Sequence, residues 1–106
     1  MTILALYKVK DLAVRCVSEM TGIPKAVLMS RARHEPVPQL RWIAWRLISN
    51  NSLVTFSTLG RLFKRDHVSV SYGLRQLNNR IETDKAFRDE YDAIEQQFND
   101  MMKGKV

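Results

Sequence analysis

The sequence predicts an all-α domain, compact and built from five or six helices. Three observations carry this expectation. Apolar residues recur every three or four positions in each long segment, the spacing of one helix face. No segment alternates apolar and polar residues over a useful strand length. Breaks fall at Gly22–Pro24, Pro36–Pro38, Asn50–Ser52, Lys64–Asp66 and Glu82–Asp84, each rich in residues that cap helices or turn the chain. A chain of 106 residues, 45% of them apolar, suits one domain over 1–106 with a modest core.

The first helix is expected over residues 9–20, with Leu12, Ala13, Cys16, Val17 and Met20 on its apolar side, and Gly22 stops it. Pro24 suits the first position of a short helix through Met29. Arg31, Arg33 and His34 then precede Pro36 and Pro38, which disfavour helix and predict an exposed, stiff basic arm. In the long helix after the arm, Leu40, Ile43, Ala44, Leu47 and Ile48 share a face. Trp42, Trp45, Arg41 and Arg46 fall toward its sides, and Asn50 and Asn51 end it.

A short helix over residues 56–63 has Thr55 as N-cap and Leu59, Leu62 and Phe63 as its apolar face. A tight break at Lys64 and Arg65 leads to Asp66, an N-cap whose charge also suits the helix dipole. Val70, Leu74, Leu77 and Ile81 then bury one side of the next helix. Gly73 inside it costs of order 1 kcal/mol relative to alanine, which points to close approach of a neighbouring helix. A last helix over 84–102, capped by Thr83, carries Phe87, Tyr91, Ile94, Phe98 and Met101 as its stripe.

Charge divides the chain. Residues 1–81 carry thirteen Lys and Arg against four acids, a net +9, while residues 82–106 are net −3. A basic body with an acidic last helix favours polyanions such as nucleic acid or anionic lipid. The one cysteine, Cys16, excludes an internal disulfide and fits a buried small residue in a reducing compartment. No apolar run approaches a membrane span, and the short apolar patch near the start has no basic region before it. The expected setting is soluble and cytoplasmic.

The segment "RLFKRDHVSVSYGLRQL" carries the chemistry. A short helix, a tight turn and a longer helix with a polar beginning are the parts of a helix-turn-helix over residues 55–81. In that motif the second helix enters the DNA major groove and presents its first residues to base edges. Asp66 can accept from cytosine, His67 can bond a base edge, Val68 can touch a thymine methyl, and Ser69 and Ser71 can reach bases or phosphates. Lys64 and Arg65 sit where the chain would cross the backbone, and Arg75 and the Tyr72 hydroxyl suit phosphate contacts. Each feature also has a plainer explanation. Asp66 is a cap, His67 a surface residue at a helix start, and Arg75 and Asn79 a solvated face.

"LGRLFKRDHVSVSYGLRQL" resembles the signature of the C-terminal DNA-binding domain of the bacterial replication initiator DnaA, with Arg65, Asp66 and His67 matching as they stand. "SRARHEPVPQLRWIAWRLI" is similar to the family's basic loop and the helix behind it, and "VSEMTGIPKAVLMSRAR" to its first two helices. The likeness covers roughly residues 9–100. It implies a compact, Trp-repressor-like helix-turn-helix fold and base reading by Asp66, His67, Val68 and Ser69.

Two departures bear on the target. The family usually has threonine or serine where Val68 stands, and two glycines where Phe63 and Lys64 fill a turn that is one residue shorter. In an ungapped alignment from Arg41, the family's minor-groove arginine falls on Gln39, so either Arg31 or Arg33 takes over that contact or the contact is absent; Arg31, Arg33, Gln39 and Arg41 are the candidates for backbone or minor-groove contact. No Gly-rich phosphate loop ending in Lys-Ser or Lys-Thr is present, so neither an ATPase nor a nucleotide is expected. The resemblance thus implies a stand-alone domain binding initiator-type sites, in replication or its regulation. A phage or mobile-element source fits such a copy.

Catalysis is not expected. His34, His67 and Cys16 have no metal-ligand spacing, and the acids cluster on the last helix as a solvated face. No cofactor and no metal is called for. The rival reading is a protein-interaction module using Trp42, Trp45 and the acidic last helix. Both tryptophans are expected to pack within the domain instead. Duplex DNA is favoured over RNA, whose deep A-form major groove excludes a reading helix.

Overall fold

A computed structural model describes residues 3–104. The domain bounds expected from sequence extend beyond these to Met1, Thr2, Lys105 and Val106. Six helices succeed one another with no strand among the described residues: α1 (Ile3–Thr21), α2 (Lys25–Leu28), α3 (Val37–Asn51), α4 (Phe56–Leu62), α5 (His67–Thr83) and α6 (Lys85–Met102). The all-α fold of five or six helices is therefore the one observed. The Cα radius of gyration is 12.8 Å. A globule of this length is expected at about 13 Å, so the helices close around one core.

Helix α3 is the hub. It packs against α1, α2, α5 and α6, while α6 also lies along α1 and α5, and α4 rests on α5. A helix covered from several sides cannot be amphipathic in the ordinary sense. The expected stripe of Leu40, Ile43, Ala44, Leu47 and Ile48 is buried, and so are Val37, Gln39, Arg41 and Trp45. Cys16 is fully buried between α1 and α6, where its thiol donates to the Ile94 carbonyl at 3.5 Å. Burial pushes that thiol up to about 11, so it stays protonated and unreactive at neutral pH.

Four local expectations meet the structure here. Helix α1 begins at Ile3, well before residue 9, and Met20 near its end is exposed. Pro38 lies in the first turn of α3, where a proline loses no intrahelical hydrogen bond, so the prolines open this helix after the arm. Asp84, not Thr83, caps α6: its carboxylate accepts from the Phe87 amide at 3.1 Å, while the Thr83 hydroxyl donates back to the Asn79 carbonyl. Trp45 is buried and Trp42 is half-buried against the core, so both tryptophans pack within the domain as expected.

Candidate nucleic-acid interface

The Thr55 hydroxyl caps α4 by accepting from the Thr58 amide at 3.1 Å. The turn after α4 closes on Gly60, whose carbonyl accepts from the amides of Phe63 at 3.0 Å and Arg65 at 2.7 Å. A Cβ on Gly60 would run into the Arg65 carbonyl, so no other residue fits there without moving the turn. Lys64 reverses the chain with φ +56°, a left-handed conformation that glycine adopts freely and lysine does not. The lysine accepts backbone strain and in return places a charge at the turn.

Asp66 caps α5, accepting from the Ser69 amide at 2.7 Å. That amide first, and then the Ser69 hydroxyl, hold its carboxyl below the ordinary range. The helix is pinned through Val70, Leu74 and Leu77, all buried. It also approaches α3 at Gly73, where a Cβ would overlap the rings of Trp42 and Trp45. The close approach expected at Gly73 is therefore present. Trp45 meets Phe63 edge to face at 5.9 Å, and Trp42 meets Tyr72 in the same manner at 6.4 Å. These contacts fix how far the N-terminal half of α5 stands off the core.

The outward face of that half is open. Val68 is 63% exposed and Tyr72 52% exposed, and both line a groove of about 710 Å³ between α5 and the arm before α3. Arg31, Arg33, Arg41, Lys64 and Arg65 supply cations to its walls, and Asp66 and Ser69 stand at its α5 edge. Among the described residues, none of these five cations forms an ion pair; the four ion pairs present, such as Arg15–Glu19, lie elsewhere. Unpaired cations around an exposed apolar pair make a surface that gains from a polyanion bearing apolar edges.

The expected residues divide into three groups. Arg31, Arg33, Lys64, Arg65, Asp66, Val68, Ser69 and Tyr72 gather at the groove. His67 and Arg75 are exposed on α5 outside its lining, and Ser71 is half-buried. Gln39 and Arg41 are both buried, and of the two only Arg41 lines the groove. Gln39 is 8% exposed, and its Nε2 donates to Glu35 Oε1 at 2.9 Å. It lines a separate cleft with Gln76 and Asn79, on the far side of Trp42.

Arg41 is 5% exposed, and its guanidinium is already engaged. It donates to the carbonyls of Leu28 at 2.9 Å, Ser30 at 2.8 Å and Ala32 at 3.3 Å. Burial, then the Arg65 charge, brings it down to about 10, so it remains a cation at neutral pH. Arg65 also works inward, donating to the Ser30 carbonyl at 2.8 Å. Burial and the charges of Arg31 and Arg33 lower it too.

These inward contacts were missed because their acceptors lie 13 and 35 residues away in the chain. A signal was present all the same. Val37, Ala44, Trp45 and Ile48 form a buried stripe to which residue 41 belongs by spacing, so an arginine there needed a buried partner. No protein-family model, curated protein or solved structure matches the chain.

Proposed function

We propose that the chain binds double-stranded DNA sequence-specifically through α4, the turn and α5. The first turns of α5 enter the major groove, and Arg31 and Arg33 engage the flanking backbone or minor groove. One observation carries this reading: Val68 and Tyr72 stand exposed on the first turns of a rigidly held helix, inside a groove walled by unpaired cations. A solvated basic surface does not need an exposed apolar pair in its lining. A duplex supplies phosphates for the cations and the Tyr72 hydroxyl, and a thymine methyl group for Val68. Asp66, His67, Val68 and Ser69 are the base-reading residues in this proposal. Lys64, Arg65, Ser71, Tyr72 and Arg75 serve the backbone.

The resemblance to the initiator domain supports a role at initiator-type sites, in replication or its regulation, in a cytoplasmic setting. The rival protein-interaction reading loses support, because Trp42 and Trp45 are engaged with Gly73, Phe63 and Tyr72.

Fluorescence anisotropy with a duplex carrying the initiator box, and with a scrambled duplex of equal composition, tests the proposal across salt concentrations. Tighter binding to the box supports initiator-type specificity. Equal, salt-sensitive binding supports DNA binding with another target, to be selected from a random pool. No binding to either at low salt defeats the proposal. His67→Ala is expected to weaken specific sites more than random DNA. Exchange of Arg65 is expected to weaken both.

A further inference from the structure

Burying a charge without a counterion is costly, and buried arginines are ordinarily paired with acids. Arg41 has none. Its buried guanidinium faces three carbonyls, two of them in the arm, and its nearest charged influence is another cation, Arg65. A leucine or methionine at this position would fill the same stripe without that cost. Ser30 is also held by its own amide and hydroxyl, which donate to the Val27 carbonyl, and by Arg65, and Glu35 accepts from Gln39 Nε2. Between Arg31 and His34 the other ties are the Ala32 amide to the Ser30 hydroxyl and the Val37 amide to the His34 carbonyl. Exposure alternates along it, with Arg31 and Arg33 outward and Ala32 half-buried between them.

We infer that Arg41 is a positioning residue for DNA binding: it fixes the arm so that Arg31 and Arg33 stand over the exposed face of α5, and it touches no DNA itself. Arg65 completes the device. By donating to the same Ser30 carbonyl from the turn side, it ties the arm to the start of α5. Arm and reading helix then approach a duplex as one body, and the ordering cost of two arginines is met during folding instead of on binding. This inference rests on the DNA-binding proposal for its purpose, though not for its geometry.

The test uses Arg41→Lys, which keeps the charge but cannot fork to three carbonyls. A thermal melt checks that the variant folds. Without DNA, amide exchange over residues 31–34 is expected to run about tenfold faster than in the parent, with exchange in α3 little changed. With DNA, the slope of log affinity against log salt is expected to flatten by about two, the contribution of two lost cation contacts. Adding Arg31→Ala and Arg33→Ala to Arg41→Lys should then cost little more, although the same pair weakens the parent. Parent-like exchange in the arm, or full additivity of the three changes, would overturn the inference.

If Arg41→Lys does not fold, Arg65→Lys carries the same measurements, since it removes the Ser30 tether from the surface side. If the parent binds no duplex at all, the functional proposal falls, while arm exchange still decides whether Arg41 positions the arm.

Discussion

Helices α5 and α6 begin alike and end in different roles. Each is preceded by an aspartate that accepts from the amide three residues on, Asp66 from Ser69 and Asp84 from Phe87. Each runs for nearly the same length, 17 and 18 residues. The capping physics is shared, so a cap alone says nothing about DNA. The two helices differ in the residues beyond the cap. In α6 the apolar residues Phe87, Tyr91, Ile94, Phe98 and Met101 all turn toward the core, and the outer face is left to Asp89, Glu90 and Asp92. In α5 the core takes Val70, Leu74 and Leu77, yet Val68 and Tyr72 remain outside beside cations. A helix that serves only the core has no use for that second apolar face.

Substitutions can separate the two helices, beginning with the largest effect. Phe98→Ala empties a fully buried site in α6 and is expected to cost about 3–5 kcal/mol in urea unfolding. An unchanged midpoint would mean that α6 contributes little to the core. Gly73→Ala puts a methyl into the Trp42 and Trp45 rings. Overpacking of roughly 1–3 kcal/mol outweighs a helix-propensity gain of about 1, so net destabilisation is expected, with weaker DNA binding as α5 shifts. A more stable Gly73→Ala protein would show that the two tryptophans yield easily.

Lys64→Gly moves stability the other way. Relief of the left-handed backbone should stabilise by roughly 0.5–1 kcal/mol after the entropy of glycine is counted. The salt slope of DNA binding should drop by about one. Loss of stability would refute the strained turn. Val68→Ser and Ala93→Ser make a matched pair on exposed positions of α5 and α6, and each should lie within about 0.5 kcal/mol of the parent. Only Val68→Ser should weaken binding to a selected site.

The smallest effect is in pH. Both cap carboxylates sit below the ordinary range, so they contribute stability above the unfolded value near 4 and lose it as pH falls through their folded values. Asp84→Asn keeps a cap but should melt with less dependence on acid than the parent. An identical acid limb would show that Asp84 is not perturbed.

Much of this arrangement was legible in the chain. The helix faces follow apolar spacing, Thr55 and Asp66 cap where residue type and position agree, and the cost of Gly73 announced a close neighbour. The residues of the turn and of α5 that line the groove were likewise local in sequence. What escaped was long-range or ambiguous by type. Thr83 and Asp84 are adjacent cap formers, and the register of Phe87 against the core decides between them. Arg41 looked like a flank residue because its partners come from another segment. Gln39 matched a family position but is covered by the packing around α3.

One residue joins α5 to α6. The amide of Asp84 still donates to the Arg80 carbonyl, closing the last turn of α5, while its carboxylate opens α6 and accepts from Arg80 Nε at 3.2 Å. Such a joint works like a gear. Its single tooth sets the rotation of one helix from the rotation of the other, and the chain has no slack in which to lose that setting. One residue added inside the first turn of α6, unless it bulged out, would turn the rest of that helix by about 100° and swing its acidic face toward the core. The acidic side of the molecule is thereby kept at a fixed angle to the basic groove, and whatever tilts α5 on a ligand must carry α6 with it.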